Sequence, residues 1–265
     1  MTIRIAPDGF SFVIFSPEKQ RFIGLESYSF TAQNEAIRLA GMLDEIMMKQ
    51  AWIAYPYQQV KVLIDNMYLA LVPNPLFEEK EKGTYLAFAQ PFQENSRIAS
   101  DSLKTADATI VYYLSNILTA KIKEFWANAK IHHLSSALIE SVLIANKNIQ
   151  AEPAIFVHVR NRSFDMLVLE GQKLKFYNLF RFHTKEDFIY FLLFAMEQQR
   201  LNPEKTPVIF SGAIDQSSAI YEISERYIRD VSFETRNKNF DYSYVFETLI
   251  WHQNSLLFNT LQCEL

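Results

Sequence analysis

Residues able to do chemistry are few in this chain, and they do not cluster along it. His132 and His133 offer two imidazoles. Adjacent side chains on a strand point to opposite faces, so the pair reads as one buried and one exposed ring, or as part of a polar loop, and not as two ligands of one metal. Cys263 is the single cysteine. It excludes an internal disulfide and a thiolate metal cluster. As a nucleophile it would need a base partner and a supporting turn, and neither is identifiable beside it. His158 lies within the apolar run AIFVHV (154–159) and reads as a hydrogen-bonded core histidine rather than a general base. Asp65 reads as a turn residue. Arg226, Arg229 and Arg236 make a small basic patch that reads as a solvated face. No catalytic residue and no metal ligand is assigned.

The elements that would have to position such groups are clearest over 154–213. AIFVHV (154–159), the segment Phe164 to Leu169, and the run holding Leu174, Phe176, Leu179 and Phe180 predict a three-stranded antiparallel meander. Polar turns separate the strands, the second of them containing Gly171. Thr184, with Asp187 three residues on, predicts the start of a helix. Phe188, Ile189, Phe191, Leu192, Leu193, Phe194 and Met196 make that helix apolar nearly all round, as expected of one buried between other elements. Asn202-Pro203 stops it. PVIFSGA (207–213) follows as a strand, then a helix capped by Asp215, then a strand over 231–233.

A looser copy of this order opens the chain. FSFVIFS (10–16), a turn at Pro17 to Gln20, and RFIGLESYSF (21–30) predict a hairpin, followed by an amphipathic helix over 34–48. KVLI (61–64) and YLALVP (68–73) flank Asp65-Asn66, read as a tight turn. FEEKEKG (77–83) suggests a short exposed helix. A strand near Ile98, the strand ATIVYYLS (108–115), a helix over 116–129, a short strand at 130–134 and a helix from Ser135 or Ser136 to Ile144 complete the first half. Lys147 to Pro153 reads as the linker. The order predicts an α/β fold of two lobes, 1–150 and 151–235, with a helical tail over 236–265 packing back on them.

Composition narrows the function classes. The chain has 265 residues, 49% of them hydrophobic and 14% aromatic, enough for a substantial core. A net charge of −4 gives no electrostatic case for nucleic-acid binding. The N-terminal MTIRIAPDGF lacks the apolar core of a signal peptide, and no run reaches about 18 apolar residues, so an integral membrane segment is not expected and a cytoplasmic location is. Only 6 glycines occur, which matters because phosphate-cradling loops use glycine to let backbone N–H groups approach.

YNLFRFHTKEDFIYFLLFAMEQQRLNPEKTPVIFSGA (177–213) carries Asn178, Phe180, Asp187, Tyr190, Gln199, Leu201 and Gly212. LALVPNPLF (69–77) carries Leu71, Val72, Pro73, Leu76 and Phe77. In these positions the chain resembles an uncharacterised bacterial domain family of the actin-like ATPase superfamily, whose domains are duplicated ribonuclease-H-like units. More distantly it resembles the cytoplasmic actin-like proteins of type IV pilus and secretion systems. The resemblance implies mixed sheets with flanking helices in two ribonuclease-H-like lobes. It also supplies a chemical test, since actin-like ATPases hold MgATP between the halves with an Asp-x-Gly-type turn after the first strand of each. The first such turn is read here as Phe15-Ser16-Pro17-Glu18 and the second as Val157-His158-Val159-Arg160. Neither has the Asp or the Gly, and Pro17 removes a backbone donor. A ribonuclease-H-type nuclease would need clustered carboxylates, and the strand over 10–16 has none. Of the superfamily's adenosine-type element only Ser211-Gly212-Ala213 survives, as a vestigial cofactor-binding site. The expectation is therefore a non-catalytic scaffold or adaptor with a protein partner and no cofactor. The alternative is a switch that binds ATP through altered contacts in the inter-lobe cleft.

Overall fold

A computed structural model of the chain describes residues 1–30, 36–147 and 152–265. In chain order the elements are β1 (Thr2–Ala6), β2 (Gly9–Ser16), β3 (Arg21–Ser29), α1 (Ala36–Lys49), β4 (Lys61–Ile64), β5 (Leu69–Pro73), α2 (Lys82–Ala89), β6 (Ser96–Leu103), β7 (Ala108–Ser115), α3 (Asn116–Phe125), β8 (Lys130–His133) and α4 (Leu134–Ala145). They continue with β9 (Pro153–Val159), β10 (Ser163–Glu170), β11 (Lys173–Arg181), α5 (Lys185–Gln198), β12 (Val208–Gly212), α6 (Ala219–Tyr227), β13 (Val231–Phe233), β14 (Asp241–Tyr242) and α7 (Trp251–Asn259). Two compact units result. The first is Met1–Ala137 with Asp241–Val245 and Glu264–Leu265; the second is Leu138–Phe240 with Phe246–Cys263.

The second unit is built on the meander that the apolar runs predict. Its sheet has the order β11-β10-β9-β12-β13, with β9, β10 and β11 antiparallel and β12 parallel to both β9 and β13. α5 starts where Thr184 and Asp187 place it. The Thr184 hydroxyl accepts from the Asp187 N–H at 3.1 Å, and the Asp187 carboxylate accepts from the N–H groups of His183 and Thr184 at 2.9 and 3.1 Å. Those backbone donors hold the Asp187 carboxyl below its ordinary pKa. Phe188, Ile189, Leu192, Ala195 and Met196 bury the inner face of α5 against the sheet. There Phe164 packs on Phe188, Phe180 and Phe182 with ring centroids 4.5, 5.1 and 6.2 Å apart. Such pairs contribute about 0.5–1.5 kcal/mol each beyond their buried area. The helix is not buried all round, however: Tyr190 and Phe194 face outward at 61% and 45% exposure.

The first unit has a sheet of order β14-β3-β2-β1-β4-β8 and a second sheet of order β5-β7-β6. Without β14, the larger sheet repeats the topology of the second unit: a three-stranded antiparallel meander, then two parallel strands. The smaller sheet buries Val111 and Tyr113 of β7 with Val72 and Leu86 under α2.

Several sequence expectations need correction. The first strand is Thr2–Ala6, not 10–16. The turn that follows the first strand is therefore Pro7-Asp8, closed by Gly9, rather than Phe15 to Glu18. Asp65-Asn66 is not a hairpin turn, because β4 joins the large sheet and β5 the small one. The Asn66 side chain instead donates to the Tyr113 carbonyl and accepts from the Tyr68 N–H. The exposed helix expected at 77–83 is displaced to Lys82–Ala89, behind short 3-10 turns. The helix after β7 ends at Phe125. In the tail only Trp251–Asn259 is α-helical, and Asp241–Tyr242 adds a strand to the first unit's sheet. Residues 34–35 of the first predicted helix and 148–151 of the predicted linker lie outside the described residues. Among the described residues no helix is long and apolar enough to cross a membrane.

Candidate functional site

In the second unit the parallel pair β9 and β12 brings two strand ends together, with Ser211 in register with His158 and Gly212 with Val159. Both side chains are buried, and the His158 Nδ1 and Ser211 Oγ lie 3.0 Å apart. Gly212 has φ +84°. A Cβ there would sit 2.2 Å from the Val159 carbonyl oxygen and about 3 Å from the His158 ring. Only glycine fits, because of both the backbone conformation and the close approach of β9. The Ala213 N–H then donates to the Val159 carbonyl at 2.8 Å. The stretch Ser211-Gly212-Ala213 is thus a turn latched onto the end of β9, with the Ala213 amide already engaged. Beyond it the cap of α6 is Ser218, whose hydroxyl accepts from the Tyr221 N–H, and not Asp215. Asp215 accepts from the Ser217 hydroxyl and N–H, which lower its pKa.

The turn after β9 is also closed from within. The Arg160 N–H donates to the Ser163 carbonyl at 2.8 Å. The Arg160 guanidinium turns inward onto Asp165, with Nε on Oδ2 and Nη2 on Oδ1, both at 2.7 Å. Tyr177 donates its hydroxyl to the same carboxylate at 2.7 Å. The two side chains of this ion pair are 4% and 0% exposed. A bidentate, charge-assisted pair of this kind is rigid. It withdraws the Arg160 cation from any anion at this turn, whereas Arg162, two residues on, is exposed.

The corresponding end of the first unit's sheet carries more charge. Arg4, midway along β1, donates to Asp65 from Nε at 3.0 Å and from Nη2 at 2.6 Å, and also to Asp8 at 3.3 Å. Asp8 lies in the Pro7-Asp8 turn and Asp65 just past β4, whose N–H donates to the Ile5 carbonyl. Gly9 is dictated by packing, since a Cβ would lie 2.7 Å from the Tyr28 carbonyl oxygen. The two carboxylates share one guanidinium, so a cation would have to compete with Arg4 for them. Among the described residues no three His, Cys, Asp or Glu side chains come together as a metal site.

A polar cluster in the first unit was not foreseen. Asp101 on β6 accepts from the Ser136 hydroxyl at 2.7 Å and the His133 N–H at 2.8 Å; the His132 Nδ1 is 3.0 Å away and the Tyr112 hydroxyl 3.3 Å. The carboxylate sits at the N-terminus of α4, where negative charge is favoured. His133 is fully buried, and its Nδ1 accepts from the Ser135 N–H. The ring proton therefore resides on Nε2, which donates to the Asn66 carbonyl at 3.2 Å. Burial and the adjacent Asp101 raise the Tyr112 phenol far above its ordinary pKa. The adjacent histidines serve different bonds, but neither ring is exposed: His132 is 13% exposed and His133 0%. Asp101 joins the small sheet to β8 and α4 as a structural tie. Nothing local in the sequence marks it, because its partners lie 11 to 35 residues away.

The remaining candidates are structural. Cys263 is buried with its Sγ near the Asn259 carbonyl. Arg226 and Arg229 are exposed, while the Arg236 guanidinium lies 5.6 Å from the centre of the Trp251 ring.

Comparison with known proteins bears on this geometry. The family described as "Protein of unknown function (DUF3822)" matches residues 1–231. A crystal structure from Bacteroides thetaiotaomicron, described as a protein with actin-like ATPase fold and unknown function, superposes with TM-score 0.85 at 22% identity, covering 99% of this chain and 95% of that one. A PilM-PilN type IV pilus biogenesis complex gives TM-score 0.67 at 11% identity, covering 97% and 95%. The cytoplasmic domain of EpsL, an inner-membrane component of the Vibrio cholerae type II secretion system, gives 0.49 at 14% identity, covering 100% and 95%. No curated protein matches the chain. The chain has the actin-like ATPase fold, as the sequence resemblance implies.

Proposed function

The chain belongs to the DUF3822 family of proteins of unknown function, and from that premise we propose that it is a non-catalytic cytoplasmic adaptor that keeps the actin-like fold and works by binding a protein partner. The observation that carries this reading is the buried Arg160–Asp165–Tyr177 group. At the turn after β9, where an actin-like ATPase presents an open acidic turn to metal-bound water and phosphate, this chain presents an arginine neutralised from inside. An assembly role also agrees with one solved relative of this fold being a pilus biogenesis complex. The test is phosphate release by the purified protein in millimolar MgATP. The adaptor reading expects a rate equal to that of buffer, and turnover that Asp8→Asn abolishes would overturn it.

One observation favours a second reading, a nucleotide-dependent switch. The turn after the true first strand contains Asp8 followed by Gly9, the residue types that the turn read at Phe15 to Glu18 lacks. Pro7 removes one amide donor there, and Arg4 already pairs with Asp8 and Asp65. A nucleotide would have to take Asp8 from Arg4, so nucleotide binding that Asp8→Asn weakens, without phosphate release, is the signature of this reading.

A further inference from the structure

Among the described residues β11 is the edge strand of the second unit's sheet, paired only with β10. It is nine residues long. A long edge strand offers a row of outward N–H and C=O groups to another extended chain unless something blunts it. Its pairing register puts Phe180, Asn178 and Phe176 opposite Phe164, Met166 and Val168. These residues therefore share the sheet face that α5 covers. Beside that edge, Phe191 of α5 stacks on Phe180 at 5.7 Å where both flank the core, and Tyr190 and Phe194 turn outward, stacked at 6.0 Å. The open edge and the helix thus border a strip of aromatic rings, partly packed on the core at Phe176, Phe180 and Phe191 and exposed at Tyr190 and Phe194.

Charge brackets this strip. Lys173 and Arg181 stand at the two ends of β11, both exposed; Lys173 lies across from Glu170, whose carboxyl it helps hold below its ordinary pKa after the closer Lys175. Lys175, in the bulge of the strand, is held by Glu170 at 2.7 Å. The ends also argue against a second copy of this chain as occupant. Antiparallel pairing of β11 with itself would set Lys173 against Arg181 at both ends, and like charges placed opposite each other destabilise a strand pair.

We propose that β11 is a docking edge for an extended segment of a partner protein, with alternate apolar side chains at its centre and acidic residues at both ends. The segment adds a strand to the sheet through backbone hydrogen bonds. Its apolar side chains lie along Phe176, Phe180 and the outer rings of α5, and its acidic ends meet Lys173 and Arg181. Strand addition beside a helix takes its affinity from the main chain and its specificity from alternate side-chain positions. This deepens the adaptor reading and rests on it.

The probe is a fluorescein-labelled peptide, Glu-Asp-Val-Thr-Phe-Thr-Val-Asp-Glu, titrated with the whole protein and followed by fluorescence anisotropy. The expected result is saturable binding that a scrambled peptide with clustered apolar residues lacks. The double variant Lys173→Glu/Arg181→Glu should weaken it about tenfold, from two reversed cross-strand charges. Both side chains are exposed, so the variant folds, which an unchanged melting temperature confirms. N-methylating alternate peptide amides distinguishes strand addition from adhesion to the aromatic strip, because only one edge of the peptide bonds to β11. One methylated isomer should bind like the parent and the other should not. Equal binding of both isomers, affinity indifferent to the charge reversal, or no binding at millimolar peptide would each overturn the proposal. So would a dimer of the protein, seen by sedimentation, that the parent peptide disperses, because it would assign the edge to a second copy. Loss of the peptide result while MgATP still yields no phosphate removes this docking edge and leaves the adaptor reading standing. Phosphate release removes the adaptor reading whatever the peptide does.

Discussion

Replacing Asp165 with alanine would leave the Arg160 guanidinium in the protein interior without its counter-charge and take the acceptor from Tyr177. Both members of the ion pair are essentially without solvent contact, so the lost attraction cannot be made good by hydration unless the turn opens. Removing one partner of a buried pair costs about 3–5 kcal/mol. At roughly 2–4 °C per kcal/mol for a chain of this size, the melting temperature should fall by about 6–20 °C. Removing both partners is a different perturbation. The double variant Arg160→Met/Asp165→Leu replaces two buried charges with apolar side chains, and such replacements are often neutral or stabilising. It should melt well above Asp165→Ala. Differential scanning calorimetry of the wild type and the two variants reads both effects. A drop of less than about 2 °C for Asp165→Ala, well below the cost of an unpaired buried charge, would refute the reasoning. It would mean that Arg160 reaches solvent easily and is available to an anion at this turn.

Three further outcomes follow from the same geometry. Glu234 accepts from Asn259 at 2.9 Å and from Ser255, and burial raises its pKa. A carboxyl whose folded-state pKa is raised contributes stability that is fully present below its unfolded pKa and is lost as pH rises through the folded pKa. Glu234→Gln should therefore melt higher than the wild type at pH 8, and the difference should shrink as pH falls below the ordinary glutamate range, as read in a series of melting curves. Gly212→Ala should destabilise by about 1–3 kcal/mol or more from backbone strain, because its φ is +84° and its Cβ meets the Val159 carbonyl. Gly41→Ala, in α1 with nothing within 4 Å of the added Cβ, should stabilise by about 0.5–1 kcal/mol, and urea denaturation compares the two.

Much of the fold could be read from sequence where local pattern and long-range pairing agree. The meander, α5 with its Thr184–Asp187 capping box, β12 and β13 stand close to where their apolar runs and caps put them. Reading failed where pairing decides. Arg4 interrupts the run Thr2–Ala6, and the first half reads as opening at FSFVIFS instead. The place of Thr2–Ala6 in the sheet comes from β4 in parallel and from Asp65, 61 residues away. Missing that strand moved the first turn from Pro7-Asp8 to residues 15–18 and hid Asp8-Gly9. KVLI and YLALVP looked like a hairpin because only three residues separate them, yet they enter different sheets. At the site, Gly212 was singled out as part of a vestigial adenosine-type element. What its surroundings add is that Val159 and His158 already demand the glycine. His158 was expected as a hydrogen-bonded core residue, and it lies 3.0 Å from the Ser211 hydroxyl. Asp101 and Asp165 could not be singled out, since a carboxylate becomes a buried tie only when the fold brings its donors to it.

The most direct test of the adaptor account is the melting temperature with and without millimolar MgATP. A ligand present at about 100 times its dissociation constant stabilises by roughly 2.7 kcal/mol, or about 5–10 °C here. The account predicts no shift. A shift of that size that Asp8→Asn removes, while the unliganded variant melts like the wild type, would contradict it and put a nucleotide at the Pro7-Asp8 turn.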